Sequence, residues 1–279
     1  MEHGRASRTA LRVALRRAVH QVLDRPPVLN DPVAAPLLGP QFAYDAAREA
    51  HPIARAFRAF MAARSRFAED QLALAVANGV AQYAILGAGL DTFAYRNPFS
   101  SLRVFEVDFP ATQEVKRAML GEGGIAIPAG LTFVPLDFEH KTLGEGLGDA
   151  GFDANQPAFF SWLGVVPYLT TEAFRETLRA VARFPAGTGI CFDYGISPAS
   201  LGPLQRQAFD ALASRVAAAG EPFQLFFTPL ELEAELERAG FHRTEQRDAD
   251  ALNALYFAGR SDGLRLPSPG LGMLATAWV

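Results

Sequence analysis

The stretch Ala81-Gln-Tyr-Ala-Ile-Leu-Gly-Ala-Gly-Leu-Asp-Thr-Phe-Ala-Tyr-Arg96 runs an apolar segment into Gly87-Ala88-Gly89, with Asp91 close behind. The order reads as strand, tight turn and helix start. Two glycines this close let the backbone bend sharply and let a ligand lie against bare main chain. A Gly-x-Gly pair alone marks an ordinary strand-to-helix turn as readily as a cofactor loop. The next apolar run, Leu102-Arg-Val-Phe-Glu-Val-Asp108, supplies the second half of the signal, because it ends in the carboxylates Glu106 and Asp108. In open α/β sheets an acid at the end of the second strand accepts hydrogen bonds from ribose hydroxyls, while the first loop faces the rest of a nucleotide cofactor. Loop and acids together outline an adenosine-ribose site.

Working outward, strand patterns recur at Tyr83 to Leu86, Arg103 to Val107, Leu131 to Pro135, Ala158 to Leu163 and Thr188 to Tyr194. Helical stretches near Thr112 to Leu120, Thr171 to Arg183 and Leu204 to Ala219 alternate with them. Such alternation predicts a parallel, doubly wound sheet. Thr228 to Gly240 is a helix with proline in its first turn and glycine at its stop. After it, Phe241 to Arg247 and Ala254 to Gly259 read as two strands able to pair as an antiparallel edge hairpin. Seven strands of this kind suit a class I methyltransferase better than a dinucleotide dehydrogenase. Upstream, Ala6 to Leu23 is an amphipathic helix whose arginines read as a solvated face. A proline-rich connector follows, then helices over Gln41 to Phe60 and Met61 to Gly79. The expected organisation is an N-terminal helical segment over residues 1–78 capping the cofactor site, a Rossmann-like core over 79–260 with a helical lid near 197–228, and a surface tail over 261–279.

The 279 residues can bury a sizeable core, and a composition of 49% apolar and 20% charged residues is globular. A net charge of -4 gives no reason to expect nucleic acid or an anionic membrane as partner. No apolar run is long enough to span a bilayer and the basic N-terminus lacks the apolar segment of a signal peptide, so a cytoplasmic protein is expected. One cysteine, Cys191, rules out an internal disulfide and reads as a buried, inert thiol. The histidines at 3, 20, 51, 140 and 242 lack metal-site spacing, so no metal is expected. Neither a Gly-x-Ser-x-Gly elbow nor a Walker lysine motif occurs, against a common serine hydrolase or a P-loop enzyme.

Several blocks, in order, then narrow the reading: Asn30-Asp-Pro; Ala63-Arg-Ser-Arg-Phe-Ala-Glu-Asp70; Ile85 to Arg96; Phe105-Glu-Val-Asp-Phe-Pro110 with Lys116; Val134-Pro-Leu-Asp-Phe138; and Trp162-Leu-Gly-Val-Val-Pro-Tyr-Leu-Thr170. Over roughly residues 15 to 260 the chain resembles the leucine carboxyl methyltransferase-like family of S-adenosylmethionine-dependent methyltransferases, in particular its bacterial small-molecule O-methyltransferase branch. The resemblance implies main-chain contacts from Gly87 and Gly89 to the methionine portion of the cofactor and ribose binding by Asp108, with Glu106 as second candidate. It implies that Asp137 and Phe138 flank the adenine and that Arg64 grips the cofactor carboxylate by two parallel hydrogen bonds. Asp91 reads either as a ligand contact or as the N-cap of the next short helix. The sequence departs from the family at Leu163, where many relatives carry an acid. It departs again at the N-terminal lysine of the protein-methylating members, for which His20 is the nearest counterpart. The second departure weighs against a protein substrate.

On the acceptor side, Tyr168, Asp193 and Tyr194 are candidates for a base, lying after the fourth strand or at the end of the fifth. A carboxylate acceptor would need none, being already anionic. The expected reaction is O-methylation of a carboxylate or hydroxyl on a small apolar or aromatic, polyketide-like metabolite. Phe209, Phe223, Phe226 and Phe227 are candidates to line the acceptor site. The alternatives are a protein C-terminal carboxyl methyltransferase and a cofactor-binding scaffold without activity. A nicotinamide dehydrogenase would expect a third glycine where Thr92 stands.

Overall fold

The computed structural model describes residues 8–39, 42–44, 46–137, 140–218, 220 and 222–279. Five parallel strands lie at its centre: β1 (Gln82–Leu86), β2 (Arg103–Asp108), β3 (Leu131–Pro135), β4 (Phe159–Trp162) and β5 (Gly189–Ile196). A two-residue strand, β6 (Phe226–Phe227), runs parallel to the end of β5. Beyond β5, β7 (Arg243–Arg247) and β8 (Gly272–Trp278) complete the order β3-β2-β1-β4-β5-β8-β7, with β8 antiparallel to both neighbours. The α/β, mostly parallel, Rossmann-like class expected from the sequence is the observed one.

The strands alternate between two cores. Ala84, Leu86, Phe105, Val107, Phe160, Ile190 and Phe192 face α6 (Leu143–Asp149), α7 (Thr171–Val181) and α9 (Pro229–Ala239). Tyr83, Ile85, Val104, Phe159, Cys191 and Leu274 face α4 (Pro52–Ala77) and α10 (Ala249–Tyr256). A third cluster joins α1 (Arg8–Leu23) and α2 (Ala34–Leu38) to α5 (Pro110–Glu122). The helices start where local chemistry satisfies their free N–H groups. Thr142 with Glu145 and Thr228 with Glu231 form reciprocal capping boxes, and Pro229 occupies the first turn of α9. Gly240, at φ 107°, ends α9 in the left-handed conformation.

Three expectations are corrected here. The proposed helices over Gln41 to Phe60 and Met61 to Gly79 are instead a short α3 (Ala46–Ala50) and one continuous α4 starting at Pro52, because proline at the helix start needs no N–H partner. Residues 254–259 are no strand: α10, capped by Asp248 accepting from the Ala251 N–H, runs to Tyr256, and a turn follows. The hairpin partner of β7 is β8, from the segment read as a surface tail. Its residues Met273 to Ala277 are all buried between β5 and β7. Small residues at Ala275 and Ala277 gave that run too weak an apolar signal to read as a central strand.

Candidate active site

At the carboxyl ends of the parallel strands, where α/β sheets bind ligands, lies a cavity of about 1110 Å³. Its floor is the Gly87-Ala88-Gly89-Leu90-Asp91 loop after β1 and Asp108 at the tip of β2. Gly87 and Gly89 have φ of 64° and 48°. At Gly87 a Cβ would meet Val165 Cγ2 at 2.6 Å, so loop and β4 connection approach as closely as bare backbone allows. Asp108 accepts from the Gly89 N–H through Oδ2 at 2.6 Å and from the Phe109 N–H through Oδ1 at 2.7 Å. Burial raises its pKa, while those two N–H groups oppose the rise. A fixed carboxylate with spare lone pairs at a cavity wall is what ribose hydroxyls require.

Arg64, from the middle of α4, enters the same cavity and is only 6% exposed. Its Nη1 donates to Asp193 Oδ2 at 3.1 Å, and its Nε is buried without a partner. Asp193 in turn accepts from the Gly164 N–H through Oδ1. A guanidinium lining the cavity beside a glycine loop and a carboxylate fits an adenosine bearing an anionic amino-acid tail.

Asp91 lines the cavity, and the N-cap position of the following short helix falls to Thr92 instead. Asp91 accepts from the Phe93 N–H at 2.7 Å, and its Oδ2 receives Arg17 Nη1 at 2.7 Å. Burial acts to raise the Asp91 pKa, but Arg17, Lys116, Arg96 and the Phe93 N–H outweigh it and bring it down to about 2. Arg17 corrects the view of the α1 arginines as a solvated face. It is 4% exposed, lines the cavity, and also donates to Asp31 Oδ2 and to Thr92. The signal lay in its spacing: Ala10, Ala14, Arg17 and Ala18 share one stripe of the helix. Arg96 joins Asp31 to Glu69, so blocks far apart in sequence meet in one ionic network behind the loop.

Other candidates are not brought to the cavity wall. Glu106 is wholly buried and receives Lys116 Nζ at 2.6 Å; burial pushes its carboxyl up to about 7 against the pull of that lysine. Tyr194, 1% exposed, hydrogen-bonds Gln246 and Met273 in the core instead of facing an acceptor. His20 is fully buried, with Nδ1 against Asp24 at 2.7 Å and Nε2 accepting from Val28 N–H at 2.8 Å, which makes it a structural link between α1 and the connector. Asp137 stands half-buried after β3, Oδ2 lying 3.0 Å from His140 Nδ1, next to the Lys141 to Gly144 part of the wall. Phe138 lies outside the described residues. No group of three or more His, Cys, Asp or Glu among the described residues is placed to hold a metal, and no described helix is long and apolar enough to cross a membrane.

Tyr168, Leu169, Pro222 and Gln224 also line the cavity. Gln224 N–H donates to Pro167 O and its side chain to Tyr168 O, which stitches the 222–227 segment to the β4 connection. Behind it, rings of Tyr168, Phe223, Phe209 and Phe226 contact one another in sequence. Phe209 comes from α8 (Pro203–Ala217), none of whose described residues is fully buried. Phe227 belongs to the core, against Phe174.

Residues 10–182 match the family model described as leucine carboxyl methyltransferase. A Bacillus subtilis protein provisionally named S-adenosyl-L-methionine-dependent methyltransferase YktD is 38% identical over 205 residues, which cover 72% of this chain and 67% of that one. A similarly named Mycobacteroides abscessus protein is 34% identical over 202 residues, covering 69% of this chain and 66% of its own length. In these two comparisons the match therefore spans about two thirds of the relative. Two solved structures share the fold with a TM-score of 0.57 and 20% identity: a DUF574 family protein from Streptomyces avermitilis, covering 87% of this chain and 94% of that one, and a provisionally named methyltransferase from Thermobifida fusca, covering 92% and 98%.

Proposed function

Because this chain belongs to the leucine carboxyl methyltransferase family of S-adenosylmethionine-dependent enzymes, we propose that it methylates an oxygen, carboxylate or hydroxyl, on a small apolar or aromatic metabolite. The observation that carries the reading is one cavity lined both by Asp108 and Arg64 and by the apolar residues Tyr168, Leu169 and Pro222. The bound sulfonium supplies an activated methyl group, so the protein has chiefly to align the acceptor and exclude water. Arg64 holds the cofactor carboxylate, Asp108 accepts from the ribose, and the glycine loop leaves room for the tail against its main chain. Asp137, after β3 and off the cavity lining, is the residue this reading assigns to the adenine.

Asp193, bonded to Arg64 and Gly164, and Tyr194, bonded to Gln246 and Met273, both lie off the cavity lining, so neither is placed to take a proton from an acceptor. That favours a carboxylate acceptor, which has no proton to lose at neutral pH. A hydroxyl acceptor would rely on Tyr168. Incubating the protein with methyl-labelled S-adenosylmethionine and cell extract tests this: label is expected in the organic extract and sensitive to mild base, as esters are. Label retained in protein would replace this reading with carboxyl methylation of a polypeptide. No transfer despite cofactor binding would favour a scaffold.

A further inference from the structure

Asp193 lies within β5, one residue beyond the last β4 pairing at Phe192, near where an acceptor-side base would be looked for, yet each of its carboxylate oxygens already takes a hydrogen bond. Oδ2 receives Arg64 Nη1 at 3.1 Å and Oδ1 receives the Gly164 N–H. Both side chains are nearly excluded from solvent, Arg64 at 6% and Asp193 at 6% exposure. Gly164 completes the arrangement. Its φ is 73°, and a Cβ built there would stand 2.9 Å from Arg64 Nη1 and 3.0 Å from Nη2. The guanidinium is thus pressed flat against the bare backbone after β4, pinned at one nitrogen, with Nε buried and unpartnered. An arginine on a long, flexible stem loses much rotamer freedom in such a pose, and something must hold it there.

We propose that Asp193 is a positioning residue for the cofactor: with Gly164 it fixes the Arg64 guanidinium so that its free edge is presented to the amino-acid carboxylate. The inference rests on the reading of Arg64 as the group that grips that carboxylate. It assigns Asp193 no proton transfer. One anion orients the cation and the ligand's anion completes its coordination; the cofactor tail and Asp193 then share one guanidinium from two sides. Because the pair is desolvated, loss of the Asp193 charge leaves a buried cation that can turn away from the cavity.

The test compares two ligands that differ in the tail. S-adenosylhomocysteine carries the carboxylate; 5′-methylthioadenosine keeps the nucleoside and sulfur but lacks the amino-acid end. By titration calorimetry on the full chain, Asp193→Asn is expected to weaken S-adenosylhomocysteine about tenfold and leave 5′-methylthioadenosine within about twofold. General damage to the fold would weaken both. Gly164→Ala keeps every charge but pushes the guanidinium aside, so it should show the same selective loss, and it serves if Asp193→Asn does not fold. In an Arg64→Ala background, Asp193→Asn should add little, since residues acting through one group are not additive. If Arg64→Ala is selective for the tailed ligand and neither Asp193→Asn nor Gly164→Ala is, the positioning role is wrong while the reading of Arg64 stands. If Arg64→Ala affects both ligands equally or neither, that reading itself fails and this inference with it.

Discussion

At the scale of single residues, the site depends on a few side chains whose hydrogen-bonding capacity is divided between backbone and cavity. Asp108 is the clearest. Its two oxygens each take one main-chain N–H, and the remaining lone pairs face the cavity. Asp108→Asn would set an amide NH₂ against one of those N–H groups, a mismatch worth about 1–3 kcal/mol, and would remove the charged acceptor for the ribose. A lower melting temperature together with at least tenfold weaker S-adenosylhomocysteine binding is expected by thermal shift and calorimetry; unchanged binding would exclude Asp108 from the ribose site. Much of this was legible in the sequence, because the glycine pair and the acid after the second strand are tied to position by strand geometry. What alternation could not separate was Glu106 from Asp108, since both point to one side of β2. Lys116 decides the matter by reaching Glu106 from α5, a contact between elements that spacing along one strand does not encode.

At the scale of elements, the N-terminal helices α1 and α4 are fastened to each other by ions as well as by apolar contact. Arg58 on α4 donates to both oxygens of Asp24 after α1, and His20 meets the same carboxylate. Burial works to raise the Asp24 pKa, but hydrogen bonds from His20 and Arg58 and the Arg58 charge bring it down to about 2. A carboxyl depressed in the folded state stabilises fully above its unfolded pKa, about 4, and that stabilisation is lost as pH falls towards 2. Asp91, held by Arg17 and likewise near 2, follows the same course. Melting temperature is therefore expected to drop between pH 4 and pH 2, and Asp24→Asn should melt lower at pH 7 but with a shallower acid slope. An identical slope in the variant would remove Asp24 from the account. The sequence showed α1 as amphipathic yet could not show which arginines were buried, since a charged residue on the apolar stripe becomes legible only once its partner, here Asp31, is known to fold back on it.

At the scale of the whole molecule, β8 carries more weight than its composition suggests. It supplies an inner strand, paired along seven positions with β5 and five with β7. Deleting residues 270–279 would uncover β5 and strand β7 without a neighbour, so the shortened chain is expected to be insoluble or to lack a cooperative melt; a soluble product with native cofactor affinity would contradict this. The alternation of strands and helices from residue 82 onward made the parallel half of the sheet readable. In the antiparallel half β7 was read as a strand although its five residues are all polar, as an edge strand tolerates, while β8, rich in small residues, was missed.

The placement of β8 bears on how the chain reaches its native state. Strand β7 comes into register only by way of a segment some eighty positions downstream of β5, so the final ladders close a long loop and come slowly. Until they do, the β5 margin is an open row of amides and carbonyls flanked by Phe192 and Cys191, a template on which a second unfinished molecule can dock. Yield on dilution from denaturant should accordingly fall as protein concentration rises.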